Sequence, residues 1–377
     1  MVAVYDAIII GARCAGASTA RLLAQRGHRV LLVDRARFPS DTISTHCVTV
    51  GGVTQLRRWG LLDDVLATNV PWVPSFMLTI GANEIPFGAD PQMGTVSPRR
   101  TVLDKLLVDH AVAAGAELRE GLTVKDVLRD DGRAVGIVAH DDGGNAIEER
   151  AAIVVGADGT HSLVAKAVGA AVYDERPGRG SGYYAYFEGV PVADVELAFG
   201  DGHFAGFFPT NDDQVCVFAG KDDEYFHELR EDPDGSHAAT VSTASVRLGE
   251  ALRAGSRASR FFAFRTVPGF FRVPYGPGWA LVGDAGYHKD PVTGHGITDA
   301  FRDAELLANA IHAGLDGASL GETLDQYQKR RDELSQGIYE STQAIAALDW
   351  NDEGLFEIFM RFAMATAEEL EALAAFG

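Results

Sequence analysis

The chain has 377 residues, enough for a large core and for two domains. Its formal net charge of −20 argues against a nucleic acid or an anionic membrane surface as partner. Three cysteines, Cys14, Cys47 and Cys216, are too few for a disulfide framework, and no CxxC or Cys/His spacing points to zinc. The opening residues lack a basic, signal-like region, and no run approaches 18 apolar residues, so a cytoplasmic protein is expected.

The first element group is "AIIIGARCAGASTARLLAQRGHRVLLVDRARF", residues 7–38, which reads as strand, glycine-rich turn, helix and strand. The apolar run Ala7–Ile10 suits a parallel strand buried on both faces. Gly11 and Gly16 hold the first and third places of GxGxxG, and Arg13 replaces the middle glycine. Gly11 permits a tight turn, and Gly16 lets helix and strand approach. The helix start, with Cys14 and Ala15, offers free N–H groups to a diphosphate, and the Arg13 guanidinium is placed to add to that binding. Asp34 closes the second strand where a carboxylate can accept both ribose hydroxyls, with Arg35 beside it. This motif predicts a bound nucleotide without separating NAD from FAD.

Further on, "RRTVLDKLL" (99–107) opens a helix, with a capping-box-like T-V-L-D. Arg100 there is either a cofactor contact or a first-turn surface residue. "AAIVVGADGTHSLVAKAVGA" (151–170) is a second apolar strand, ending at Gly156 and followed by Asp158-Gly159. "GWALVGDAGYHKDPVTGHGI" (278–297) is a third, ending at Gly283-Asp284. Each aspartate alone could be a helix cap. Three strand ends with glycine and aspartate need a ligand long enough to touch them all, and FAD is such a ligand.

The order of these three motifs, with the trailing P-x-x-G-x-G at Pro291–Gly296, resembles the class A, hydroxybenzoate-hydroxylase-like FAD monooxygenases. Their superfamily also holds geranylgeranyl reductases and flavin-dependent halogenases. The likeness covers about residues 4–50, 95–170 and 265–312. It implies that Gly11, Arg13, Cys14, Ala15, Gly16, Asp34 and Arg35 face the ADP half of FAD, and that Gly283 and Asp284 hold the ribityl chain. It further implies Pro291, Gly294 and Gly296 beside the isoalloxazine, with Thr45, Arg100, Val124 and Asp158 completing the cofactor contacts. The chain departs from the pattern where Tyr287 and His288 replace a usual histidine, where Ala165 replaces an arginine, and where Thr298 replaces an asparagine.

The resemblance implies an α/β fold: a Rossmann-like FAD-binding domain, discontinuous in sequence, with an antiparallel-sheet substrate domain and C-terminal helices. The expected division is 1–70, 99–174 and 266–320 for the FAD-binding domain, 71–98 and 175–265 for the sheet domain, and 321–377 for the helical segment. "GYYAYFEGV" (182–190) and "DQVCVFAG" (213–220) alternate as strands do. Tyr186 and Phe208 are candidate substrate contacts, although such aromatics also suit a sheet core. Leu324, Tyr327, Leu334, Ile338 and Ile345 mark one face of a tail helix. His46, in "PSDTISTHCVTVGG", is a candidate catalytic residue because an ordinary imidazole titrates near neutrality. It would deprotonate a phenol or hydrogen-bond a carbonyl.

The expected reaction is a monooxygenation. NADH or NADPH reduces FAD, O2 adds to give a flavin hydroperoxide, and one oxygen passes to an aromatic or polyketide-like small molecule. A double-bond reductase of the geranylgeranyl-reductase type is the first alternative. A halogenase is disfavoured by the lack of a W-x-W-x-I-P segment. A non-enzymatic flavin-binding protein would leave three cofactor motifs without a redox role. No metal, nucleic acid or membrane partner is expected, and an oligomer is compatible with the sequence.

Overall fold

The structure is a computed structural model and describes residues 4–88, 90–222, 225–228, 231–265 and 267–375. The expected domain limits at residues 1, 266 and 377 fall outside that set. Three sheets organise the chain. The first holds β1 (Val4–Ile10), β2 (Val30–Asp34), β5 (Glu117–Glu120), β6 (Thr123–Asp130), β7 (Arg133–His140), β8 (Ala146–Gly156), β17 (Tyr275–Gly276) and β18 (Trp279–Leu281). The second holds β3 (Phe76–Ile80), β4 (Asn83–Phe87), β10 (Gly180–Glu188), β11 (Val195–Gly200), β12 (His203–Pro209), β13 (Gln214–Asp222), β14 (Ser256–Arg257) and β15 (Phe262–Arg265). The third is small: β9 (Val172–Arg176), β16 (Gly269–Arg272) and β19 (Tyr287–His288).

Helices cover and join the sheets. They are α1 (Cys14–Ala24), α2 (Val50–Arg58), α3 (Leu62–Leu66), α4 (Arg100–Ala113), α5 (Leu163–Val168), α6 (Tyr225–Glu228), α7 (Pro233–Ala244) and α8 (Val246–Ala254). Three long ones follow: α9 (Gly296–Leu315), α10 (Leu320–Ala346) and α11 (Asp352–Ala374). Among the described residues no helix is long and apolar enough to cross a membrane.

The first sheet has a parallel centre in the order β18-β8-β1-β2-β5. Ala7 aligns with Val30 on one side and Ile153 on the other. β1 is apolar throughout its second half because both faces are covered. Ala7 and Ile9 pack with α1 and α9, while Ile8 and Ile10 pack with β6, β7 and α5. The β1–α1 turn depends on its glycines. Gly11 has φ +100°, and a methyl at Gly16 would stand 1.8 Å from the Gly11 carbonyl oxygen. Gly16→Ala is therefore expected to open this turn and to abolish folding or FAD retention, read by thermal melting and by flavin absorbance of the purified protein.

The second sheet is antiparallel except where β3 runs parallel to β11. β10 and β13 are buried on both faces rather than half-exposed. The period of two divides their side chains between two cores. Tyr184, Tyr186 and Phe218 join one aromatic layer, while Ala185, Phe187 and Val217 meet α7 and α8. The five apolar residues that mark the α10 face are all buried. Helix α11 bridges the layers: Leu355 and Phe359 enter the aromatic core, and Leu373 lies beside Gly51 of α2.

Candidate functional site

A cleft of about 900 Å³ opens at the C-terminal ends of β1, β2, β8 and β18. Ligands of open α/β sheets bind outside these strand ends. Gly11, Arg13, Cys14, Ala15, Asp34 and Arg35 line it. So do Thr45, Arg100, Val124 and Asp158, together with Gly283, Asp284, Pro291, Gly294 and Gly296. Gly16 lies beneath the floor, where its missing side chain sets the approach of α1 to the turn. His46, Tyr186 and Phe208 are outside the lining.

Helix α1 carries no side-chain cap at its N-terminus, so amides of its first turn face the cleft unclaimed by a side chain. Asp34 fixes the turn opposite: its Oδ2 accepts from the Ala12 amide and its Oδ1 from the Ala36 amide, both at 2.7 Å. The Arg13 guanidinium, in the cleft wall, is engaged by α4 and by the loop after β2. It donates to Asp104 at 2.5 Å, to the Ser40 hydroxyl at 3.1 Å and to the Asp41 carbonyl at 3.1 Å. A buried carboxylate outcompetes solvent for a nearby guanidinium, and Asp104 is fully buried.

The capping box is not realised. Helix α4 begins at Arg100 without a side-chain cap, and Asp104 instead accepts from Arg100 Nη2 at 2.8 Å and Nε at 3.1 Å. Arg100 is buried, not on the surface. Burial pushes the neighbouring Cys14 thiol up to about 12, so it is a protonated packing group. Asp158 caps α5, accepting from the Leu163 and Val164 amides at 2.7 and 3.2 Å.

His46 also differs from expectation. It is buried, at φ +65°, and its Nε2 lies 2.5 Å from the Tyr186 hydroxyl. Burial, with Arg100 and Arg99 nearby, pulls its pKa down to about 3. The imidazole is neutral across the physiological range, and its Nε2 is already engaged by Tyr186. Tyr186 itself stacks on His46 and carries the Arg99 guanidinium 3.8 Å from its ring centre. Tyr184 stacks on Phe218 and Phe262 at 4.5 and 4.9 Å. This layer abuts the cleft from behind: a methyl at Gly294 would stand 3.7 Å from Phe208 Cε1 and from Thr45 Oγ1.

Segment 287–290, the least regular part of the third motif, is now accounted for. Tyr287 stacks on Phe271 with ring centres 4.5 Å apart. His288 Nδ1 lies 3.4 Å from Asp284 Oδ1, and Asp290 accepts the Val292 amide at 3.0 Å. Lys289, buried, pairs with Asp299 in the first turn of α9. Desolvation would raise the Asp284 carboxyl, but His288, Lys289 and Arg100 outweigh it and hold it below its ordinary value.

Behind Asp299 lies an ionic cluster that the sequence did not disclose. Arg302, fully buried, donates to Asp299 at 3.0 Å, to Asp303 at 2.8 Å, to Glu369 at 2.6 Å and to the Ser335 hydroxyl at 2.7 Å. His295 spans Asp299 and Glu369 at 3.3 and 3.0 Å. The carboxylates are matched by cations of the chain itself. Burial alone would raise the Glu369 carboxyl, but His295 and Arg302 hold it down to about 2. A depressed carboxyl stabilises the fold above its ordinary value of 4.5, and that contribution disappears as pH falls through about 2. Glu369→Gln should therefore lower stability at pH 7 by on the order of 3 kcal/mol and flatten its acid dependence, measured by urea unfolding at pH 7 and pH 3.

The chain belongs to the FAD binding domain family, whose profile spans residues 4–256. It is accordingly an FAD-dependent oxidoreductase by family. It is similar to the menaquinone reductase of Mycolicibacterium smegmatis, with 25% identity over 329 residues, 82% of this chain and 76% of that protein. The fold matches PqsL of Pseudomonas aeruginosa, a probable FAD-dependent monooxygenase, with a TM-score of 0.83 and 23% identity over 95% of this chain and all of that one. It also matches the myxobacterial chondrochloren halogenase CndH, with a TM-score of 0.80 and 25% identity over 89% of this chain and 81% of that one.

The residues fit the cofactor. The cleft is lined by an uncapped helix start beside Asp34 and by a second uncapped helix start at Gly296, where an added methyl would meet nothing within 4 Å.

Proposed function

We propose that the protein is an FAD-dependent monooxygenase that uses NADH or NADPH and O2 on an aromatic or polyketide-like small molecule. The observation that carries this reading is the buried aromatic layer, Tyr184, Tyr186, Phe208 and Phe218, which packs with Val292 and meets Gly294 through Phe208. Such a layer excludes water from chemistry beside it. Bound FAD supplies two-electron transfer and the activation of oxygen.

The chain's own residues do the rest. The Gly11 turn and the first amides of α1 hold the diphosphate, and Asp34 accepts from the ribose. Asp284, kept ionised by its basic neighbours, would accept from the ribityl hydroxyls. Pro291 and Gly294 would hold the isoalloxazine, and the positive α9 start at Gly296 would favour negative charge on it. The second sheet, within 71–98 and 175–265, forms the substrate side. A reductase of isolated double bonds is the second reading, favoured by the likeness to a menaquinone reductase.

The test is to load the purified protein with FAD and follow NAD(P)H and O2 across phenols, quinones and polyenes. Substrate-stimulated NAD(P)H oxidation, with label from 18O2 in the product, is expected. A saturated product formed without O2 consumption overturns the monooxygenase in favour of the reductase. Failure to bind FAD overturns both.

A further inference from the structure

We propose that Lys289 is a charge-tuning residue of the flavin site: its ammonium, ion-paired with Asp299, sets how readily the isoalloxazine accepts negative charge. This inference rests on the placement of the ring at Pro291–Gly296 given above. Four observations lead to it.

Lys289 and Asp299 both line the cleft, as do Pro291, Gly294 and Gly296. Both are buried, so the electrostatics of the pair are weakly screened by solvent. Asp299 stands in the first turn of α9. An uncompensated carboxylate there would cancel the positive helix end that faces the cleft. The chain places two cations on that carboxylate instead, Lys289 on Oδ2 and Arg302 on Oδ1, with the His295 imidazole also beside Oδ1.

The two cations are not equivalent. Arg302 is shared by Asp299, Asp303 and Glu369, and it does not line the cleft. Its charge is consumed within the cluster. Lys289 has one carboxylate partner and a place in the cleft wall, with the Tyr287 ring centre 5.2 Å from its Nζ. It is the cation of this cluster whose field reaches the cleft. Burial draws its pKa down to about 7, with Arg302 adding to the fall and Glu369, Asp284 and Asp303 opposing it. An ammonium held so weakly responds strongly to a negative charge nearby.

Sulfite provides a readout independent of turnover. It adds to an oxidised flavin and leaves negative charge on the ring, so its affinity reports the positive field there. With FAD-loaded protein, Lys289→Met is expected to weaken sulfite binding about tenfold or more and to move the flavin midpoint potential to more negative values. Asp299→Asn removes the negative charge paired with Lys289 and, read at pH 6 where the ammonium is favoured, is expected to change both in the opposite direction. Unchanged sulfite affinity in Lys289→Met with FAD still bound overturns the proposal. So does the same sign of change in both variants. If Lys289→Met does not hold FAD, Asp299→Asn decides by its sign. If neither holds FAD, the pair is structural and the tuning role falls. Asp284→Ala separates the two inferences. If it weakens FAD binding while both cluster variants leave sulfite affinity unchanged, only the tuning role is lost. If FAD affinity is unaffected by Asp284→Ala, the placement of the cofactor itself is wrong.

Discussion

Arg302→Met should lower folding stability by ~3–5 kcal/mol, the usual cost of removing one partner from a buried ionic group. The methionine keeps much of the apolar volume of the stem. What it removes is the guanidinium that Asp299, Asp303 and Glu369 share. Asp303 already has a raised pKa because burial outweighs Arg302 and Arg331. Without Arg302 the three buried carboxylates lose their common cation, and protons must replace it. The loss should therefore be largest at neutral pH and shrink in acid, where protonation relieves the repulsion. Chemical unfolding at pH 7 and pH 4 measures both effects. A change under 1 kcal/mol at pH 7 would show that water enters the cluster and that its charges are less buried than they look.

The second large effect concerns the cofactor. Asp284→Ala should weaken FAD binding ~10–100-fold, since hydrogen bonds to an ionised acceptor contribute about 1.5–3 kcal/mol. The fold should be little affected. The Asp284 side chain is half exposed in the cleft, and its ion-pair partner is His288 at 3.4 Å. The turn that carries it, Gly283–Ala285, is held by backbone: the Gly286 amide donates to the Gly283 carbonyl at 2.9 Å. Fluorescence titration with FAD, together with melting of the cofactor-free protein, separates affinity from stability. Unaltered affinity would mean that the ribityl chain runs elsewhere.

These two residues also mark how far the sequence could be read. The Gly11 turn and the strand before Asp284 were legible because their constraints are local. A buried parallel strand must be apolar, and a turn at φ +100° must be glycine. The α10 face was legible for the same reason, since its spacing is a property of one helix. Side-chain partners were not. Arg13 finds Asp104 across 91 residues, and His46 finds Tyr186 across 140. Nothing in "STHC" tells whether that histidine faces a cleft or a core, and so its pKa could not be read. Glu369 lies 67 residues from Arg302, in a helix where neighbouring glutamates such as Glu368 and Glu371 stay exposed. Its burial follows from where α11 packs, which is a tertiary fact.

The order of strands in the first sheet has a consequence for biosynthesis. β1 lies between β2 and β8, and β8 pairs in turn with β18, so the cleft floor needs residues from both ends of a long stretch of chain. At translation rates of about 5–20 residues per second, Gly11 leaves the ribosome on the order of tens of seconds before Asp284. In that interval the nucleotide half of the cleft lacks its opposite wall, and the Glu369 tie comes later still. FAD therefore meets a complete site only late in synthesis. Cofactor supply can stabilise the finished chain, but the nascent chain must guard its apolar strands without that help.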